Sequence, residues 1–152
     1  MFDIVHRIGI KAPATQVYAA LASLQGLAGW WTEEVQGNDQ VGGRIEFTFR
    51  ALDGTVKGSA VMAVEALDPS RQVAWRCVEG PAEWIDTRLT FTLAEHDDQT
   101  IVLLGHRQWR EEVEFTAHCS TKWAIFLLSL RDYVEKGTGR PSPNDVKIDD
   151  WN

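Results

Sequence analysis

The strongest constraint in this chain is a change of period. Between Gly42 and Trp109 apolar residues recur at every second position, and between Phe115 and Gly137 at every third or fourth. In "GGRIEFTFRA", Ile45, Phe47 and Phe49 alternate with Arg44, Glu46 and Thr48. "VKGSAVMAVEAL" is a second β run whose glycine suits a bulge, and "QVAWRCV" puts Val73, Trp75 and Cys77 on one side. "WIDTRLTFTLAE" alternates Ile85, Thr87, Leu89, Phe91 and Leu93, and "TIVLLGHRQW" gives a further strand. Period two with β-branched and aromatic residues is the pattern of a half-buried strand. The short gaps "DPSR", "EGPAE" and "HDDQ" favour hairpins, because a parallel crossover needs about a dozen residues or more. The helical stretch then places Cys119, Trp123, Phe126, Leu127, Leu130 and Val134 on one stripe. That is the buried face of a long amphipathic helix. Gly137 ends it, with Lys136 in the last turn, where a cation complements the helix dipole.

The N-terminal part repeats the contrast in small. Ile4, His6, Ile8 and Ile10 alternate with Asp3, Val5, Arg7 and Gly9, which reads as a strand. "KAPATQVYAALASL" then changes to helical spacing, with Pro13 suited to a first turn and Val17, Leu21 and Leu24 recurring. Gly26 and Gly29 are expected to break this helix and leave a short second one before Trp30. The order is one strand, two short helices, about five strands and one long helix. The fold class is therefore α+β, with a curved antiparallel sheet of about six strands. A sheet that is polar on alternate positions needs a cover for its apolar face, and the long C-terminal helix is the element large enough to provide it. Residues 1–137 form this domain, and the 138–152 tail, "TGRPSPNDVKIDDWN", is expected to dock on it. Trp151 in that tail would pack on the same subunit or on a second one.

Composition sets limits on function. A length of 152 residues allows one sizeable core. The net charge of -7 disfavours nucleic acid and anionic membrane surfaces as partners. Cys77 and Cys119 are far apart without a CxxC spacing, so neither a disulfide framework nor a zinc site is expected. No HxH or HExxH is present, nor a G-x-S-x-G, and "VGG" at Val41 to Gly43 lacks the lysine of a phosphate loop. We expect no metal, no cofactor and no catalytic nucleophile. "WAIFLLSL" is too short to span a bilayer and the N-terminus does not resemble a signal peptide, so the expected compartment is the cytoplasm.

Seven tryptophans are the main functional hint. The ordinary reading of each is core packing, because an indole buries a large area. Strand phase puts Trp75 with Val73 and Cys77, and helical phase puts Trp123 on the apolar stripe. Trp84 and Trp109 fall at strand ends. By the same phase His6 and His106 point inward, where an imidazole needs a partner and could orient a ligand or act as a base.

"IKAPATQVYAALA", the "GWW" segment, "VGGRIEFTF" and the closing "KWAIFLLSLRDYVEKGTGRP" together resemble a known family. It is that of the bacterial stand-alone domains similar to the activator of the ninety-kilodalton heat-shock-protein ATPase. These belong to the START and birch-pollen-allergen-like superfamily, often labelled SRPBCC. The resemblance covers essentially the whole chain. It implies a helix-grip fold with an apolar cavity between the sheet and the C-terminal helix. The family's aromatic positions that close one end of that cavity fall on Trp30 and Trp31 here, one as a plug at the mouth and the other packed on the sheet. The expected lining is then Phe47, Phe49, Trp75, Trp84, Trp123 and Phe126. Trp109 and Leu127 would sit beside them, and Thr87 and His106 would be the polar groups that orient a ligand.

The leading reading is a binding protein for a small hydrophobic or aromatic ligand. A polyketide cyclase or aromatase would need His6 and His106 to converge on one substrate. A chaperone-associated module would need an exposed apolar patch. A homodimer is compatible with all three.

Overall fold

Alternation becomes sheet along most of the chain. In the computed structural model, which describes residues 1–152, β1 (Phe2–Ile10) is followed by two short helices, α1 (Ala14–Ala22) and α2 (Leu24–Trp30). Six further strands come next: β2 (Glu34–Gly37), β3 (Arg44–Arg50), β4 (Val56–Asp68), β5 (Gln72–Glu79), β6 (Arg88–His96) and β7 (Gln99–Trp109). A single 3-10 turn, Ala82–Trp84, lies between β5 and β6, and α3 (Glu114–Lys136) follows β7. The strands form one antiparallel sheet in the order β1-β7-β6-β5-β4-β3-β2.

The sheet has seven strands, one more than the alternation predicts. The additional one is β2, four residues long, paired with β3 from Glu34↔Thr48 to Gly37↔Ile45. Only Val35 in it is apolar, so there is no hydrophobic period to find. The predicted β6 also begins too early. Trp84 belongs to the 3-10 turn and the strand proper starts at Arg88.

The break between α1 and α2 has another cause than the one expected. The chain turns at Ser23, which is extended and whose hydroxyl caps α2 by accepting from the Gly26 N–H. Gly26 and Gly29 lie inside α2 because its neighbours approach too closely for a side chain. A Cβ on Gly26 would meet the Ala20 backbone at 2.6 Å, and one on Gly29 the Tyr133 ring at 2.2 Å. The α3 boundary is as the sequence predicts, with Gly137 left-handed at φ 82°.

The stripe Cys119, Trp123, Phe126, Leu127 and Leu130 is buried along α3. The sheet bends around it. In the long strand β4 the register against β5 shifts at Val61/Met62 and again at Val64/Ala66. Bulges of this kind bend a strand and increase its twist. A third shift, between Phe49 and Arg50 of β3, leaves Lys57 of β4 as the extra residue beside Gly58. The core between sheet and helix runs from Ile4 and Ile10 through Trp30, Trp31, Trp75 and Phe91 to Leu104 and Leu130.

Residues 138–152 run back over the domain. The Ser142 N–H donates to the Trp31 carbonyl (2.8 Å), and the Ser142 carbonyl accepts from the Glu33 N–H (3.1 Å). Buried Ser129 on α3 joins three segments: its hydroxyl donates to the Trp30 carbonyl (2.8 Å) and accepts from the Arg140 N–H (2.7 Å).

Candidate binding cavity

Beyond the aromatic core, α3 and the β3–β4 hairpin diverge, and the space between them is a cavity of about 210 Å³. Trp31 forms its inner wall. Phe49 and Ala60 come from the hairpin, Trp84 from the 3-10 turn, Trp123 and Phe126 from α3. Phe115 and the tail residues Ser142, Asp145 and Trp151 complete the mouth. An ion pair, Lys122 with Asp145, and a hydrogen bond between His118 Nδ1 and Asp149 Oδ2 at 2.7 Å hold the tail there. Trp151 packs at ring distances of 6.3 Å from Phe115 and 5.5 Å from His118.

Five of the expected lining residues are on this cavity: Trp31, Phe49, Trp84, Trp123 and Phe126. Seven are not. Trp30, Phe47, Trp75 and Leu127 are closed into the core. Trp30 donates its indole N–H to the Ala20 carbonyl (2.9 Å), and Trp75 lies parallel to Trp31 at 6.2 Å. Trp31 is therefore no plug at the mouth: it separates packed core from open cavity, and Trp30 lies behind it on α1. Trp109 is also buried, against His106 and Phe115, with its indole N–H unpartnered.

Thr87 and His106 are polar but not free to meet a ligand. An indole N–H can only donate, so Trp123 donates to His106 Nδ1 (3.1 Å). The imidazole proton is then on Nε2, which donates to Thr87 Oγ1 (2.9 Å), and the Thr87 hydroxyl donates onward to the Trp84 carbonyl (2.6 Å). Complete burial pushes His106 down to about 3, so the ring is neutral at physiological pH. Its two nitrogens are spent on tying β7 to the turn before β6 and to α3. His6 is half-buried and bonds Ser120 Oγ (3.2 Å) on α3. The two histidines share a sheet face, with His6 opposite Leu104 and His106 opposite Ile4, but His106 has no lone pair left for a substrate.

The charged rim is what the sequence reading missed. Lys57 and Lys122 line the cavity, and Lys147 donates to Asp145 Oδ1 (3.1 Å) from the tail. Burial alone would push the Asp145 carboxyl up. The Lys122 and Lys147 ammonium groups outweigh it and hold the carboxyl below its usual range. Lys57 is exposed, and partial desolvation at the cavity rim, with Lys147 as the next contributor, lowers it. Cys119 is on the cavity wall, its thiol pushed up to about 12 by burial, and Cys77 is pushed up to about 11. Thiols so protonated are poor nucleophiles. No group of three or more His, Cys, Asp or Glu side chains is arranged to hold a metal ion, and no helix is long and apolar enough to cross a membrane.

Residues 11–135 match the family model described as activator of Hsp90 ATPase homolog 1-like protein. The chain belongs to that family. Among solved structures, the Aha1 dimer from Colwellia psychrerythraea is 40% identical, with 91% of this chain and 100% of that one covered and a TM-score of 0.78. CalU16 from Micromonospora echinospora shares the fold at 20% identity (97% and 74% covered, TM-score 0.75). DynU16, from the dynemicin biosynthetic locus, does so at 15% (90% and 48% covered, TM-score 0.75). No curated protein matches the chain. Within this family fold, the seven-strand sheet grips α3, and the cavity lies where the grip opens.

Proposed function

We propose that the protein binds a small hydrophobic or aromatic molecule in this cavity, as a cytoplasmic homodimer of the kind the Colwellia protein forms. The observation that supports the reading is an apolar cavity left open among large side chains. Trp31, Phe49, Trp84 and Trp123 reach it from four parts of the fold and do not fill it. Apolar surface facing such a cavity is available to be removed from water by an apolar occupant. The size bounds that occupant. Drug-sized ligands take roughly 300–1,000 Å³, and an engineered cavity of about 150 Å³ accepts benzene. A volume of about 210 Å³ suits one or two rings rather than a fatty acid or a flavonoid.

The test is a thermal-shift titration with one- and two-ring aromatic compounds. Binding to the native state must raise the melting temperature in proportion to the logarithm of ligand concentration once that exceeds the dissociation constant. Gly58→Leu is the control. A Cβ built on Gly58 meets nothing within 4 Å, so the added side chain extends into open space on the cavity wall. We expect a saturable rise in the wild type that Gly58→Leu abolishes. A folded protein that shifts with no compound in the series would sink the reading.

A cyclase-type reaction gains no support from His106, whose nitrogens are both committed. The second reading is a chaperone-partnered module. The family's description favours it, and Leu52 and Val56 stand exposed together where the β3–β4 hairpin turns.

A further inference from the structure

Resting on that reading of the cavity, we propose that its ligand is an aromatic carboxylate whose acid group is received by Lys57 at the rim. Apolar burial alone is a weak source of affinity here. A one-ring compound hiding about 150 Å² offers a gross gain that the cost of association largely consumes. A useful ligand needs a polar handle, and the charges around the cavity select its sign.

Three ammonium groups surround a single carboxylate. Lys122 pairs with Asp145 and also donates to the Val146 carbonyl (2.9 Å). Lys147 pairs with the other oxygen of Asp145 and donates to the Pro143 carbonyl (2.8 Å). Lys57 is close enough to feel all three of these charges yet has no carboxylate in ion-pair contact. The Asp149 carboxylate, also at the mouth, is hydrogen-bonded to His118 Nδ1 (2.7 Å). The cluster of Lys57, Lys122, Lys147 and Asp145 thus has an excess of positive charge, in a chain whose net charge is -7.

The backbone aims Lys57 at this position. The ladder passes from Phe49↔Gly58 to Arg50↔Val56, so Lys57 has no cross-strand partner. A bulge leaves one residue unpaired and redirects its side chain, and Lys57 lines the cavity. One uncommitted ammonium matches one negative charge. No arginine lines the cavity, so the receiving group is a single point charge, and a phosphate monoester would bring roughly two negative charges to it at pH 7. A carboxylate fits better than a phosphate ester.

The experiment compares 2-naphthoic acid, 2-naphthamide and 2-naphthyl phosphate by calorimetry at pH 7.5 and low salt, on the full chain and on Lys57→Met. Lys57 is solvent-exposed on a strand, so the variant should fold, and its melting curve verifies this. We expect the acid to bind about tenfold tighter than the amide in the wild type, as a charge-assisted hydrogen bond predicts. In Lys57→Met the acid should fall to within about twofold of the amide measured on the same variant. Equal binding of acid and amide to the wild type would overturn the carboxylate assignment while the cavity reading survives. Discrimination that persists in Lys57→Met, or tighter binding of the phosphate, overturns it as well. If none of the compounds binds, the cavity reading falls and this inference falls with it.

Discussion

Trp123 belongs to two regions with opposite chemistry. Its indole N–H is bonded to His106 in a closed end of the core, and its ring also lines the open cavity. At the closed end every imidazole and hydroxyl valence in the Trp123–His106–Thr87–Trp84 chain is used inside the protein. At the open end two lysines share one aspartate, and a third, Lys57, is uncommitted. The contrast gives a criterion for where function lies. A buried polar group whose bonds are all made by the fold is holding the fold. A charge beside an apolar void, with nothing opposite it, has capacity left for a ligand.

The sharpest way to break the comparison is to remove one large ring from each end. Trp75 is fully enclosed by Trp31, Phe47 and Phe91. Trp75→Ala should cost roughly 3–5 kcal/mol, because the lost burial and the new cavity both count. Phe49 already borders open space. Phe49→Ala only enlarges an existing void and should cost about 1–2 kcal/mol. Urea denaturation of both variants measures the difference. Equal losses would mean that the two ends are packed alike.

The next effect concerns pH. His106 is held neutral in the folded protein, down to about 3 from an ordinary 6.5, by burial. Below pH 6.5 the unfolded chain takes up a proton that the folded chain refuses. The contribution is therefore complete above 6.5 and is lost as the pH falls towards 3. Between pH 6 and 4.5 its slope approaches about 1.4 kcal/mol per pH unit. His106→Leu should be less stable at pH 7, since the Trp123 N–H loses its acceptor, but flatter across this window. Denaturation curves for both proteins at several pH values check the sign and the slope. Parallel pH profiles would show that His106 titrates normally and belongs with the open end instead.

How much of this was legible beforehand depends on range. The alternation in β3 and β5 and the stripe on α3 follow from local periods, and both survive in the structure. Strand phase, however, reports the face of a sheet and not the position along it. Phe47 and Phe49 share a face, yet one is sealed in the core and the other borders the cavity. His106 could be read as inward, but its partners lie 19 and 17 residues away on other elements. The Lys122–Asp145 pair spans 23 residues and depends on the path of the tail. Lys57 depends on a bulge that no hydrophobic period encodes. Residues held together by tertiary contacts of this kind have no signature in a single sequence.

The smallest effect on stability should come from Trp151, and it separates folding from binding most cleanly. The residue is 46% exposed, and its ring touches only Phe115 and His118 among aromatic neighbours. Trp151→Ala should therefore change stability by less than about 0.5 kcal/mol. Yet Trp151 lines the cavity mouth, and a ligand seated there would bury more of the indole than the free protein does. Losing that contact should weaken binding of a naphthalene-sized probe roughly fivefold, which is about 1 kcal/mol. Calorimetric titration of the variant beside its melting curve gives both numbers. Unchanged affinity would confine the ligand to the inner wall of Trp31, Trp84 and Trp123. A large loss of stability would instead make the tail part of the core, and the open end would be less open than its geometry indicates.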